Sequence, residues 1–317
     1  MKNFIEFLFL CPLVSVMFWN AENFFDYFDG GFSSSDKEFS SRGPRHWTKA
    51  RFGAKVDGIA KTVLWADAPL VVGLAEVEND FVLRRLCGGE VLRKFNYRYV
   101  HFESRDTRGI DCALLYRSDS LDFVYARPIP VVLQDSLSLR IDTLDTRDIL
   151  YVCLRERSNG GLWHFLVNHH PSKYGGSASG PRRIAAMRAL VSFTDSLAGA
   201  GEKNIVAMGD FNDTPLSPSF ALADGHLVNL GSSMLEDSPS AGTIRFHGKW
   251  ELIDNFLVSP ELAGNYCMSV LRPPFLMERD RAYPGEKPYR TFIGPRYNAG
   301  LSDHLPVCIN RKNSIEY

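Results

Sequence analysis

The sequence predicts an α+β fold, an α/β-sandwich in which two packed mixed β-sheets are flanked by helices. Short apolar runs typical of buried strands recur along the whole chain, whereas only three segments have helical patterning. Several of these runs follow one another with no helix between them, as in strand meanders. This arrangement favours two packed sheets over one doubly wound sheet, in which strands and helices would alternate.

The individual elements follow from apolar runs, turn residues and helix start signals. Strands are predicted at residues 14–19, 69–75, 97–102, 112–116, 123–132, 149–154, 164–169, 204–208, 253–258 and 305–309. Helices are predicted at residues 48–65, 81–87 and 181–197; Pro181 suits the first turn of the last of these. Residues 30–46 and 271–300 are predicted to be long loops, which in a compact domain are often functional.

Length and composition indicate one globular domain spanning residues 1–317, with residues 1–12 as an N-terminal extension. No cleaved signal is expected, because Glu6 and Pro12 interrupt the apolar start of the chain. We therefore expect a cytoplasmic monomer without a transmembrane segment, although a secreted or periplasmic location stays open. The six cysteines form no closely spaced pair, so we expect them to be reduced and mostly in the core.

The formal net charge of −1 gives no support for an extended surface that binds nucleic acid non-specifically. A local basic groove or a small phosphorylated substrate remains compatible with it.

Polar residues of a restricted kind lie where apolar runs end or begin. These are Asn20, Glu22, Glu76, His169, Asp210, Asn212, Asp254, Asp303 and His304. One such residue is as often a structural cap as a functional group, but so many together are hard to explain structurally, because a buried carboxylate without a partner is costly. Carboxylate and amide oxygens suit a hard cation such as Mg²⁺ or Mn²⁺, and a carboxylate such as Asp254 could orient the imidazole of His304.

Eight motifs along the chain resemble the endonuclease/exonuclease/phosphatase superfamily, which shares the deoxyribonuclease I fold. They are FWNAENFFD (18–26), GLAEVEN (73–79), RGIDCALLYR (108–117), TRDILYV (146–152), VNHHPSKYGG (167–176), GDFNDTP (209–215), WELIDNFLVS (250–259) and LSDHLPV (301–307). The resemblance implies a divalent-metal-dependent phosphoester hydrolase with its site at one edge of the sandwich.

The resemblance also implies a role for each residue. Glu76 is expected as the principal Mg²⁺ ligand, with Mn²⁺ as the alternative ion, and Asn20, Glu22 and Asp303 as further metal groups. Catalytic roles are expected for His169, Asp210, Asn212, Asp254 and His304. Arg147, Arg183, Arg290 and His170 are weaker expectations for contacts with the phosphate-ester substrate. Whether Asp210 or His304 is the general base stays open.

Three functions remain open from the sequence. The first is a phosphodiesterase or endonuclease-like enzyme acting on DNA, RNA or another diester by in-line attack of water. The second is a phosphomonoesterase or lipid-headgroup hydrolase with the same residues, and the third is an inactive binding protein on the same fold. The third ranks last, because Glu76, Asp210, Asn212, Asp254 and His304 are all present.

One residue departs from the family pattern: His170 stands where family motifs often have tryptophan.

Overall fold

The computed structural model describes residues 14–31, 33–134, 141–173 and 179–312. Residues 1–12, including Cys11, lie outside this part of the chain. The strands are β1 (Val16–Phe24), β2 (Val71–Val77), β3 (Tyr97–His101), β4 (Asp111–Arg117), β5 (Leu121–Ile129), β6 (Val132–Gln134), β7 (Ile141–Thr143), β8 (Ile149–Glu156), β9 (Leu162–His169), β10 (Ile205–Asp210), β11 (Val228–Asn229), β12 (Ile244–Phe246), β13 (Lys249–Glu251), β14 (Asp254–Val258), β15 (Tyr266–Val270), β16 (Met277–Arg279), β17 (Glu286–Pro288), β18 (Phe292–Ile293), β19 (Arg296–Tyr297) and β20 (Val307–Arg311).

Two six-stranded mixed sheets contain twelve of these strands, which confirms the predicted fold class. The first sheet has the order β15-β20-β1-β2-β4-β3, and the second has the order β11-β14-β10-β9-β8-β5. Each sheet has one central parallel pair, β1 with β2 and β10 with β9, and antiparallel neighbours outside it. The other strands form two-stranded hairpins.

The core lies in three layers because the central strands bury both of their faces. Alternate side chains of a strand point to opposite faces of its sheet. On β1, Phe18 packs between the two sheets, whereas Trp19 packs under the helical layer on the outer face. On β10, Met208 packs between the two sheets, and Ala207 packs under the helical layer on the outer face. Burial on both faces explains why these strands are continuous apolar runs rather than alternating ones.

Helices cover the outer faces of both sheets, and the last two helices of the chain pack against the layer between the sheets. Their bounds are α1 (Ser34–Glu38), α2 (Lys49–Trp65), α3 (Asp80–Gly88), α4 (Ser179–Gly199), α5 (Leu230–Asp237) and α6 (Pro260–Ala263). Thr48 caps α2 by accepting a hydrogen bond from the Arg51 amide, and Asn79 caps α3 in the same way through Val82. The three predicted helices are confirmed to within two residues at each end.

Three sequence predictions differ from the structure. The strand predicted at residues 123–132 is divided into β5 and β6. The two predicted loops contain regular structure, with α1 in residues 30–46 and the strands β16 to β19 in residues 271–300.

Of the described cysteines, all of which are free, Cys267 is exposed on edge strand β15 and the other four are buried. Among the described residues, no helix is both long and apolar enough to cross a bilayer.

Candidate active site

The polar residues singled out in the sequence come from strands whose ends meet at one edge of the sandwich. Glu76, His169 and Asp210 lie at or near the carboxyl ends of β2, β9 and β10. Asp254 begins β14, which is antiparallel to β10 and pairs Asp254 with Asp210. His304 precedes β20, which is antiparallel to β1. Opposite strand directions therefore bring distant sequence segments to the same edge.

The backbone is irregular where β1 and β2 reach this edge. The pairing register shifts between Asn20 and Phe24 on β1 and around Glu76 on β2. Glu22 and Glu76 have φ angles of 47° and 60°, values that are uncommon for residues other than glycine. β-Bulges of this kind redirect a side chain, and such strain clusters at functional sites.

Asp210 is the centre of the cluster. Its carboxylate accepts hydrogen bonds from Asn20 Nδ2 at 3.0 Å and from the backbone amide of Asn212 at 2.9 Å. Asp210 Oδ2, the atom that accepts from Asn20, lies 3.6 Å from His169 Nε2 and 3.8 Å from His304 Nε2. Burial raises the pKa of Asp210 to about 7, although the charge of His304 opposes the shift.

His304 and Asp254 form a buried ion pair. His304 Nδ1 lies 2.8 Å from Asp254 Oδ2, and the Asp254 side chain is fully buried. Burial lowers the pKa of His304, but the carboxylates of Asp254 and Asp210 outweigh it and raise the pKa well above its usual value. The imidazole is therefore protonated at neutral pH, with Nε2 directed towards Asp210.

His169 has the opposite charge state. Burial, followed by the positive charge of Arg147, lowers its pKa well below the usual value, so the ring is neutral. Its Nε2 atom lies 3.9 Å from Glu76 Oε1, and Glu76 also accepts hydrogen bonds from the Asn23 amide at 2.8 Å and from Arg108 at 3.2 Å. The cluster thus contains one charged and one neutral imidazole.

Glu22 and Asp303 lie on the other side of the cluster and share Arg290. The Arg290 guanidinium is 3.2 Å from Glu22 Oε1 and 2.9 Å from Asp303 Oδ2, and the Thr291 amide donates to Glu22 Oε2 at 2.8 Å. Burial, followed by the charge of Asp303, raises the pKa of Glu22 to about 7. The buried Lys55 side chain, from α2, donates a hydrogen bond to the backbone carbonyl of Glu22 at 2.8 Å.

The other predicted substrate contacts are engaged within the protein. Arg147 pairs with Asp106 at 2.8 Å and donates to the His170 carbonyl at 3.0 Å, and Arg183 pairs with Asp213 at 2.8 Å. His170 is buried with its ring edge against Phe211. Asn212 Nδ2 also donates to the His170 carbonyl, at 3.0 Å. These groups hold together the loops that follow β9 and β10.

Two residues of the site received no role in the sequence analysis. Lys55 lies beside Phe52, Val56 and Ile59 on the buried face of α2, and a lysine within an apolar helical face is the signal that could have identified it. Arg108 is the first residue of the RGIDCALLYR motif, and its place in that motif is the signal that could have identified it.

The donor atoms fit a hard divalent cation. Glu22, Glu76 and Asp303 offer carboxylate oxygens, and Asn20 offers an amide oxygen. The raised pKa values of Glu22 and Asp210 reflect negative charge that burial makes costly and that a cation would stabilise. Asp254 Oδ1 and His169 Nδ1 are buried without a hydrogen-bond partner in the described part of the chain.

Comparison with known proteins identifies the family. A sequence model of the Endonuclease/Exonuclease/phosphatase family matches residues 15–313. The chain belongs to this family. No curated protein matches the sequence itself.

Solved structures of this family share the fold at low sequence identity. The human Nocturnin catalytic domain with bound sulfate superposes with a TM-score of 0.57 at 16% identity, over 94% of both chains. The Bacteroides thetaiotaomicron mannosyl-6-phosphatase superposes with a TM-score of 0.59 at 18% identity, over 94% of this chain and 99% of that one. D. rerio TDP2 with a single-strand DNA product gives 0.56 at 14% identity, over 95% and 99%.

Proposed function

We propose that this chain is a divalent-metal-dependent phosphoester hydrolase that acts by in-line attack of water, with a phosphodiester as its preferred substrate. The observation that carries the proposal is the convergence on Asp210 of two buried imidazoles, His304 and His169, whose surroundings shift their pKa values in opposite directions. Titratable groups whose environments drive their pKa values apart are typical of acid–base sites.

Asp210 is the proposed general base. A carboxylate with a pKa of about 7 can accept a proton from water near neutral pH, which the same group with an ordinary pKa does poorly. His304 is a poor base, because its paired carboxylates keep it protonated. The Asn20 amide and the Asn212 backbone amide fix the orientation of the Asp210 carboxylate.

The charged His304 would donate a hydrogen bond to a phosphoryl oxygen as negative charge builds there, and His169 would donate as a neutral imidazole. Asp254 keeps His304 charged and oriented. Glu76, with Asn20, Glu22 and Asp303, would hold Mg²⁺ or Mn²⁺. When bound, this ion would neutralise a non-bridging or leaving oxygen. Arg290, whose side chain is 43% exposed, is the proposed contact for a further substrate oxygen.

A phosphomonoesterase is the second candidate, and one feature favours it. A cavity of about 350 Å³ adjoins the catalytic cluster and is lined by Arg108, Arg147, Arg182 and Ser172, among others. A concave pocket of this size suits a small ester better than a polynucleotide. The mannosyl-6-phosphatase among the structural neighbours acts on a substrate of that kind by its name.

The test is a substrate panel with Mg²⁺: bis-p-nitrophenyl phosphate, p-nitrophenyl phosphate, plasmid DNA and sphingomyelin. We expect the diester to be cleaved by the wild type and by the surface variant Glu236→Ala, but not by Glu76→Ala. Cleavage of the monoester alone would move the assignment to the second candidate. Equal activity of Glu76→Ala and wild type, or no hydrolysis of any phosphoester by the folded wild type, would overturn the proposal.

A further inference from the structure

A second group of potential metal ligands lies outside the catalytic cluster. His101 ends β3, Asp111 begins β4, and Glu103 lies in the loop that joins them. One ligand atom from each residue lies within 4.8 Å of the others. The group combines one imidazole with two carboxylates, which distinguishes it from a cluster of surface acids.

His101 is the least satisfied member of this group. Its side chain is only 5% exposed, and its Nε2 atom forms no hydrogen bond within the described residues. The Asp111 Oδ2 atom is 3.4 Å away but does not meet hydrogen-bond geometry. A buried polar atom without a hydrogen-bond partner destabilises the fold, and a cation between the two side chains would satisfy both of them.

The carboxylates of Asp111 and Glu103 lie beside each other, and both lie near the His101 imidazole. Asp111 is buried, and its Oδ1 atom accepts a hydrogen bond from the Ser104 amide at 2.9 Å, which leaves Oδ2 towards His101. Burial and the charge of Asp111 raise the pKa of Glu103. Glu103 itself is exposed, so the group opens to solvent on that side and an ion has a path of entry.

We propose that His101, Glu103 and Asp111 form a binding site for a zinc ion. An imidazole together with carboxylates suits Zn²⁺, whereas Mg²⁺ and Ca²⁺ prefer ligand sets made only of oxygen. Three protein ligands and an open side leave the fourth position of a tetrahedral site to water. Zinc binding here does not depend on the proposed hydrolysis.

The position of this site connects it to the catalytic cluster. The loop between His101 and Asp111 carries Arg108, which donates to Glu76, and Asp106, which pairs with Arg147. An ion held by both ends of the loop and by Glu103 within it would restrict the loop. The zinc site would thus act as a structural tether for the Arg108 guanidinium.

The experiment measures bound zinc by metal analysis after equilibrium dialysis, in millimolar Mg²⁺ so that the oxygen-rich catalytic cluster is competed. We expect wild type to retain one more equivalent of zinc than His101→Gln, and Glu103→Gln to bind at least roughly tenfold more weakly. Glu76→Ala should keep this equivalent. Co²⁺ in place of zinc should give visible absorption bands that are lost in His101→Gln. Melting temperatures in EDTA identify any variant that fails to fold. If His101→Gln fails to fold, Glu103→Gln, which lies at an exposed position, replaces it in the test.

Three results would overturn the assignment. Equal zinc in wild type and in both folded variants would exclude these side chains as ligands. Loss of the equivalent in Glu76→Ala alone would show that the ion belongs to the catalytic cluster. Zinc that is removed completely by dialysis would be an adventitious ion only. None of these results bears on whether the protein hydrolyses phosphoesters, which the substrate panel tests separately.

Discussion

Asp254 controls the charge of His304 and has no access to solvent. Because its side chain is fully buried 2.8 Å from His304 Nδ1, it stabilises the imidazolium far more than a surface carboxylate could. The same contact fixes the ring so that Nε2 faces Asp210. Asp254 therefore determines both the protonation and the orientation of a neighbouring side chain.

Replacement of Asp254 by asparagine tests this dependence. Asp254→Asn keeps the shape but removes the charge, so the pKa of His304 should fall. We expect kcat to decrease by about 10²- to 10⁴-fold. The alkaline limb of the pH profile should move to lower pH, because activity that needs charged His304 is lost as pH rises through its pKa. The measurement is kcat/KM against pH with the diester substrate.

The matched control is Asp195→Asn. Asp195 also holds a histidine, His226, at 2.7 Å, but both side chains are about half exposed. This variant should retain full activity and an unchanged pH profile. An Asp254→Asn enzyme with a wild-type alkaline limb would contradict the role assigned to Asp254.

At the scale of elements, α2 is tied to the catalytic edge by one buried side chain. Lys55 Nζ donates to the Glu22 carbonyl at 2.8 Å, to Thr291 Oγ1 at 2.8 Å and to the Leu301 carbonyl. These acceptors belong to three separate segments, two of which carry proposed metal ligands. Burial lowers the pKa of Lys55 to about 8, while the Glu22 carboxylate opposes the shift, so the group remains largely charged at neutral pH.

Lys55→Met should destabilise the fold and displace Glu22 and the segment that carries Asp303. The variant removes the Lys55 donor from the Glu22 carbonyl and from Thr291 Oγ1, whereas the Leu301 carbonyl still accepts from Thr291 Oγ1 at 3.0 Å. We expect a loss of about 2–4 kcal/mol in unfolding free energy. The Mg²⁺ concentration for half-maximal activity should rise, which a loss of stability alone would not cause. Urea denaturation and a Mg²⁺ titration measure the two effects. Lys49→Met, at the exposed start of the same helix, should change neither; a normal Mg²⁺ requirement in Lys55→Met would refute the positioning role.

Gly209 sets the spacing of β9 and β10 directly before Asp210. A Cβ atom at this position would lie 2.4 Å from the Asn168 carbonyl oxygen and 2.6 Å from Asn168 Cβ. Gly209→Ala should therefore push the strands apart and cost about 1–3 kcal/mol, with a fall in kcat as Asp210 moves. Gly53→Ala in α2, where nothing lies within 4 Å, should instead stabilise the protein by about 0.5–1 kcal/mol. Thermal unfolding of both variants checks the contrast, and a Gly209→Ala variant as stable as wild type would contradict it.

The sequence was informative where burial restricts residue type. Continuous apolar runs such as β10 could be predicted because both of their faces are covered, and Thr48 marks the start of α2 through a local capping bond. The hairpins β16 to β19 could not, because short exposed strands lack a periodic apolar pattern. Lys55 and Arg108 contact residues far away in the sequence, so local patterns can single these two residues out but do not reveal their partners.

For the whole molecule, an excess of buried acids makes stability depend on pH. Burial raises the pKa of Glu22 and Asp210 to about 7, and that of Glu78 to about 8. Each group binds its proton more tightly in the folded state than in the unfolded state. Its contribution to stability is therefore complete at low pH and is lost as pH rises through the folded pKa. The raised pKa of His304 acts in the same direction.

Opposing groups confine this effect to a window. Below pH 6.5, the unfolded chain would protonate His169 and His170, which burial keeps neutral in the fold, so these histidines favour unfolding as pH falls. Above about pH 8, Lys55 loses its proton in the folded state at a lower pH than in the unfolded state, so its contribution raises stability as pH rises, opposite to that of the carboxylates. Between these limits, the raised pKa values of the carboxylates and of His304 dominate, so stability falls as pH rises.

We therefore expect the unfolding free energy, measured by urea denaturation in EDTA, to fall between pH 6.5 and 8. The slope should be about 1.4 kcal/mol per pH unit for each proton that distinguishes the two states. Glu78→Gln should flatten the slope without altering the catalytic cluster, because Glu78 contacts the Asp26 amide instead. Mg²⁺ should reduce the slope further by stabilising the ionised cluster carboxylates. A stability that is constant or rises across this interval in EDTA would mean that these acids are already ionised in the fold without a cation.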